Sequence, residues 1–218
     1  MRNISEKKRI VIKLGSSTLA HKTGKLNIRR MQNLVRVIAD LQNSGKEIII
    51  VSSGSVALGT GKLGLRERPK DTPTRQAVAA IGQCELMHMY DNMFEKYSIT
   101  IAQILLTKTI IEKADRKKNV ENTIERLISL GVIPIVNEND TVSIDELELE
   151  IGENDSLAAM VANISNADLL LILSDIDGLY TSDPHINPDA EAIHTVDKIT
   201  DYIEKIAGGA GSSLGTGG

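Results

Sequence analysis

The chain has 218 residues, enough for one large domain or two small ones with a substantial buried core. Its 25 Lys and Arg stand against 29 Asp and Glu, and the formal charge of -4 gives no strong pull toward nucleic acid or an anionic membrane. A single cysteine, Cys84, excludes an internal disulfide framework, and with no Trp and one Phe the core is expected to be aliphatic, without base-stacking platforms.

Met1 to Arg9 is charged with no apolar stretch behind it, so no signal peptide is expected. The longest purely apolar runs, such as Leu169 to Leu173, reach about five residues, far short of the roughly 18 that a membrane span takes. A cytoplasmic protein with no membrane partner is the expectation.

In chain order, Ile10-Val11-Ile12 reads as a first buried strand. Ile28, Met31, Leu34, Val35, Ile38 and Leu41 then share one helical face, which ends near Gly45. A second strand runs from Glu47 to Val51, followed by a longer helix carrying Val78, Ile81, Leu86, Met89, Tyr90 and Met93. Ile99 to Leu106 is a third strand, and Val120, Ile124, Leu127 and Ile128 mark a helix closed by Gly131. Val132 to Val136 is a fourth strand. Thr141 to Ile151 alternates apolar and polar residues and is expected to form a small hairpin on the rim. Leu157, Met160, Val161 and Ile164 make the next helix, before a strand from Asp168 to Leu173. Strands with nearly continuous apolar character suit a parallel sheet covered on both faces. The expected fold class is therefore α/β, a three-layer αβα sandwich with a mainly parallel central sheet and no internal domain boundary.

In an open α/β sheet, ligands bind beyond the carboxyl ends of the strands. Four polar segments fall there: Lys13-Leu14-Gly15-Ser16-Ser17, Ser52-Ser53-Gly54-Ser55, Asn137-Glu138-Asn139-Asp140 and Ser174-Asp175-Ile176-Asp177-Gly178. The first two carry the small residues and glycine that let backbone N–H groups approach an anion. Lys13, at the end of a buried strand, needs an anion or water for its ammonium. A phosphate would serve, and so would an edge position where the lysine reaches solvent. Gly152-Glu153-Asn154-Asp155 opens a helix, where Asn154 or Asp155 would suit a cap. Together with the acidic loop ending at Asp140, these residues would alternatively hold a substrate ammonium or orient a lysine.

Generic nucleotide motifs fail. Gly54 to Gly59 has Walker A spacing, but Thr60 stands where lysine is required. Gly59 to Gly64 matches G-x-G-x-x-G, yet it begins well past its strand. No H-R-D and D-F-G set accompanies a glycine-rich loop. His21, His88, His185 and His194 are scattered and Cys84 has no cysteine partner, so no metal site is expected from protein ligands.

Taken together, Val11 to Ser17, Val51 to Ala57, Ala79-Ala80-Ile81-Gly82-Gln83, Gln103 to Thr107, Pro134 to Asp140, Gly152 to Ala158, Leu173 to Thr181, Asp183-Pro184 and Gly215-Thr216-Gly217-Gly218 resemble the amino acid kinase family. Within it they are most similar to the branch that phosphorylates the γ-carboxylate of L-glutamate. The resemblance implies ATP and Mg2+ as cofactors, γ-glutamyl phosphate as product, proline synthesis as the setting, proline as feedback inhibitor and a homo-oligomer. It implies that Lys13 contacts the ATP phosphates, with Gly15, Ser174, Asp175 and Gly215-Thr216-Gly217-Gly218 lining the nucleotide site. Ser53, Gly54, Asp140 and Asn154 would receive glutamate, with Glu153 as a further contact where many relatives have Asp. Asp155 would orient the catalytic lysines.

Relatives continue after Gly-Thr-Gly-Gly with a lysine-bearing segment, a helix, a strand and often a PUA domain. By this resemblance residues 1–218 are a catalytic domain incomplete at its C-terminus. The expectation is a chain that binds glutamate better than it turns it over. A kinase of N-acetylglutamate and a protein that only binds glutamate are the alternatives.

Overall fold

A computed structural model describes residues 4–21, 23, 25–107, 113–142, 153–174 and 176–207. Among them, a five-stranded sheet forms from β1 (Arg9–Leu14), β2 (Glu47–Ser52), β3 (Ile101–Leu106), β4 (Ile133–Glu138) and β5 (Leu169–Leu173), in the order β3-β4-β2-β1-β5. Every pairing is parallel. The expected α/β sandwich is thus present, and β1 extends two residues beyond its expected end to include Lys13.

Period-two alternation sorts the strand residues onto two faces. Ile10, Ile12 and Leu14 of β1 join Ile48 and Ile50 of β2 and Ile133 and Ile135 of β4 in one cluster. That face is covered by α2 (Ile28–Asn43), through Met31, Val35 and Ile38, and by α4 (Thr72–Glu95), through Leu86, Tyr90 and Phe94. On the other face Val11, Ile49, Val51 and Val136 pack with Ile124 of α5 (Ala114–Ser129) and Leu157, Ala158 and Val161 of α6 (Glu153–Ile164). The helices begin where the sequence provides caps. Asn27 accepts a hydrogen bond from Arg30 N, and Asp71 accepts one from Thr74 N with Pro73 in the first turn of α4.

Three helices among the described residues were not expected, one of them α7 (Asp201–Ile206) near the end of the chain. A short α1 (Ser16–Leu19) follows β1, and α3 (Ser55–Lys62) occupies the stretch containing the G-x-G-x-x-G match. Gly54 turns the chain from β2 into α3 at φ 104, a left-handed conformation that disfavours any side chain. Gly59 and Gly82 form the crossing of α3 and α4. A Cβ on Gly59 would lie 2.0 Å from Val78 O, and one on Gly82 would lie 1.7 Å from Ser55 O. The first glycine of the failed motif, Gly59, therefore serves helix packing.

At the amino ends of the strands, charged groups tie the sheet together. Arg9 binds Glu47 (Nε to Oε2, 2.8 Å) and Glu125, and Lys8 binds Glu47 at 2.8 Å. Hydrogen bonding to Lys8 and Arg9 holds the Glu47 carboxyl below its ordinary pKa, against the opposing effect of burial. Asp168 accepts from Arg9 N at 2.8 Å and Lys8 N at 2.9 Å, which lowers its pKa too.

Beyond β5 the chain forms a two-stranded antiparallel ribbon, β6 (Leu179–Tyr180) with β7 (Ala192–Ile193), and then α7 (Asp201–Ile206). The hairpin expected over Thr141 to Ile151 lies almost wholly outside the described residues, only Thr141 and Val142 being among them.

Candidate functional site

Polar side chains gather at the carboxyl ends of β1, β2 and β4, and strand parity decides where each one points. Lys13 shares a face with Val11, the face covered by α6. It is 8% exposed, and its Nζ lies 2.7 Å from Asp155 Oδ1 in the first turn of α6. The ammonium does not reach solvent at an edge, because β1 lies between β2 and β5. A charge at such a depth is stable only when paired. Asp155 supplies that partner and holds the lysine in one place.

Along β2, Ser52 and Ser53 face opposite ways. Ser52 lies on the α4 face, and its Oγ is 2.9 Å from the Tyr90 hydroxyl. Tyr90 is fully buried, and burial raises its pKa. Ser53 lies on the α6 face, where its Oγ accepts from Asn154 Nδ2 at 2.6 Å. The same Asn154 nitrogen donates to Ser52 O and to Asn137 Oδ1, each at 3.2 Å. Asn137, 3% exposed, in turn donates from Nδ2 to Gln83 Oε1 of α4 at 2.8 Å. Ser55, at the start of α3, donates to Asp140 Oδ2 at 2.8 Å.

The first turn of α1 closes the β1 side. Gly15 N donates to Leu173 O at 3.2 Å, so the ends of β1 and β5 meet and bring Gly15 beside Ser174. A Cβ on Gly15 would sit 3.7 Å from Lys13 Nζ, so glycine keeps the space next to the ammonium open. The result is a buried cation with its counter-ion, flanked by hydroxyl and amide groups on one side and a small-residue loop on the other. Such a constellation can neutralise and orient an anionic substrate, and it offers little for covalent catalysis.

The profile described as the amino acid kinase family matches residues 8–218. A protein named glutamate 5-kinase from Clostridium perfringens is 51% identical over 217 residues, covering 99% of this chain and 81% of its own length. This chain belongs to the amino acid kinase family. Another protein of that name, from Dehalococcoides mccartyi, is 54% identical over 212 residues, and the chain spans 57% of its length. Among solved structures, the UMP kinase from Ureaplasma parvum aligns over 85% of this chain and 74% of its own, with a TM-score of 0.56 and 20% identity. That likeness concerns the fold alone.

For an amino acid kinase, the expected site residues divide clearly. Lys13, Gly15, Ser53, Gly54, Asp140, Asn154 and Asp155 lie around the carboxyl edge of the sheet, joined by the contacts above. Ser174 is exposed at the end of β5 on the same edge. Glu153 begins α6, though its side chain lies outside the described residues, as do Asp175 and Gly215, Thr216, Gly217 and Gly218. Sequence reasoning assigned no role to Asn137, Ser55 or Gln83. The signal for Asn137 was present: an amide that ends an otherwise apolar buried strand must find partners.

Proposed function

We propose that this chain transfers the γ-phosphoryl group of ATP to the γ-carboxylate of L-glutamate, giving γ-glutamyl phosphate and ADP. The observation that carries this reading is the buried Lys13–Asp155 pair beside the Ser53–Asn154–Asn137 cluster. The names of relatives about half identical to the chain point to glutamate as the acceptor.

The chemistry asks for little besides placement. The γ-carboxylate is already ionised near neutral pH, so no base is needed. One of its oxygens forms a bond to the γ-phosphorus while the bond to the β–γ bridging oxygen breaks, and ADP leaves with that electron pair. Two anions must be brought together, and this repulsion is the main obstacle. Lys13, fixed by Asp155, supplies positive charge where the phosphates would lie. Gly15 leaves room beside it for phosphate oxygens. Ser53 and Asn154 present hydroxyl and amide groups to the amino acid, and Asp140, with one oxygen fixed by Ser55, would take its α-ammonium.

Among the described residues no three His, Cys, Asp or Glu side chains gather to hold a metal ion. The residues present suit a Mg2+ ion carried by the nucleotide phosphates, which it would help to neutralise when bound.

The test is a hydroxamate assay of the purified chain with ATP, Mg2+ and L-glutamate, run beside calorimetry with L-glutamate. Turnover supports the reading. Turnover of N-acetyl-L-glutamate in place of glutamate, or absence of glutamate binding, overturns it. Glutamate binding without turnover leaves a protein that binds glutamate and is not a kinase on its own.

A further inference from the structure

The amide groups of Gln83, Asn137 and Asn154 form a chain whose direction has one consistent solution. Ser52 O is a backbone carbonyl and can only accept. Asn154 lies 3.2 Å from it and must therefore present Nδ2. The same nitrogen faces Asn137, so Asn137 must present Oδ1. Asn137 then turns Nδ2 toward α4, where only an acceptor will serve. Gln83 Oε1 meets that need at 2.8 Å. The remaining end of the relay, Gln83 Nε2, is enclosed and has no hydrogen-bond partner.

An orphaned buried amide donor is unfavourable, because it gives up its hydrogen bonds to water without replacement. Rotating the Gln83 amide would relieve it only by setting Nε2 against Asn137 Nδ2, donor against donor. The relay keeps its orientation and carries the orphan instead. Gln83 is held at this spot by its neighbour, because Gly82 brings α4 into backbone contact with Ser55 of α3.

We propose that Gln83 is a positioning residue. Ser52 O sets the direction of the relay, and Gln83, by accepting from Asn137 Nδ2, holds Asn137 Oδ1 toward Asn154 and so keeps the Asn154 amide in one place and orientation for the amino acid substrate. The substrate half of this inference rests on the proposed glutamate kinase function; the amide orientation does not. Gln83 is not a catalytic residue, since it reaches the site only through Asn137.

Two variants test it in the full chain. Gln83→Met keeps length and removes both hydrogen-bonding ends. Gln83→Glu keeps an acceptor toward Asn137 and replaces the orphan donor with a second carboxyl oxygen. Side-chain amide resonances of Asn154, identified by their loss in Asn154→Asp, report its orientation. In Gln83→Met they are expected to shift or double, and the calorimetric Kd for L-glutamate to rise at least about fivefold with the KM for ATP unchanged. In Gln83→Glu they are expected to stay single. Unmoved resonances with unchanged glutamate affinity in Gln83→Met would overturn the proposal. So would an equal loss of both substrates with a lowered melting temperature, the mark of a general packing role. If the wild-type chain binds no glutamate, the kinase reading fails, and the Asn154 resonances alone still decide the role of Gln83.

Discussion

Replacing Gly82 with alanine sets two effects of opposite sign against each other. In a helix interior, alanine is favoured over glycine by about 1 kcal/mol. At Gly82 the added Cβ would lie 1.7 Å from Ser55 O and 2.6 Å from Gly59 N, both backbone atoms of α3. No side-chain rotation clears them, so α3 and α4 must part by roughly 1.5–2 Å to restore ordinary contact. Forced overpacking costs about 1–3 kcal/mol and occasionally more, and a displacement of two helices belongs at the upper end. The net expectation is a destabilisation of about 2 kcal/mol, or a Tm lowered by about 4–8 °C for a domain of this size. Differential scanning fluorimetry and urea unfolding would measure it. Gly178→Ala is the control, since Gly178 has no heavy atom within 4 Å of the added Cβ and no positive φ. The glutamate KM should rise in Gly82→Ala as well, because Ser55 and Gln83 move with the two helices. A Tm equal to or above wild type would mean that helix propensity outweighs the close approach, and the packing argument would be wrong.

Other substitutions probe the remaining parts of the site and the sheet. Lys13→Ala is expected to lower kcat by about 100-fold or more while the far-ultraviolet circular dichroism stays unchanged, since the half-buried Asp155 can be hydrated once its partner is gone; activity within a few-fold of wild type would remove Lys13 from the phosphate site. Tyr90→Phe keeps the ring stacked near Phe94 and deletes the hydroxyl bonded to Ser52 Oγ. Urea titration should show a loss of about 0.5–1.5 kcal/mol with kcat little changed, and a loss above about 3 kcal/mol would contradict the single hydrogen bond inferred here. Asp168→Asn tests the amino edge of the sheet. The N–H groups of Arg9 and Lys8 lower the folded-state pKa of Asp168, so its contribution is fully present above the unfolded carboxyl value of about 4 and is lost as pH falls through the folded value. The stability gap between wild type and variant should be widest near neutral pH and close under acid conditions; a gap independent of pH would refute this.

Much of the fold could be read from local pattern. Apolar strands alternating with amphipathic helices located the five strands of the main sheet and four of the helices within a few residues; burial on both faces imposes that pattern on β1, β2 and β4, whereas the edge strand β5 carries the same apolar run with Leu171 and Ile172 exposed, and β6, β7 and α7 gave no such signal. The helix α3 escaped notice because its glycines and threonine carry no amphipathic period, and its stability comes from contact with α4 rather than from its own residues. The site was legible in its parts: the polar segments after the strands held Lys13, Ser53 and Asp140, and the helix opening Gly152 to Asp155 held Asn154 and Asp155, without revealing which would touch.

The sequence by itself thus determined the class of fold, the edge of the sheet at which polar chemistry collects, and the residue types available there, since these follow from periodicity and strand ends. Tertiary structure decided the pairings. The choice for Lys13 between solvent and a buried anion depends on β1 being interior, and on α6 covering the face that odd-numbered β1 residues share. The relay from Gln83 to Asn154 depends on Asn137 lying between helices on opposite faces of the sheet. Gly82 reads as an ordinary weak helix residue until the backbone of α3 is seen against it. Each is a contact between segments distant in the chain, set by strand order and helix crossing, which no local pattern encodes.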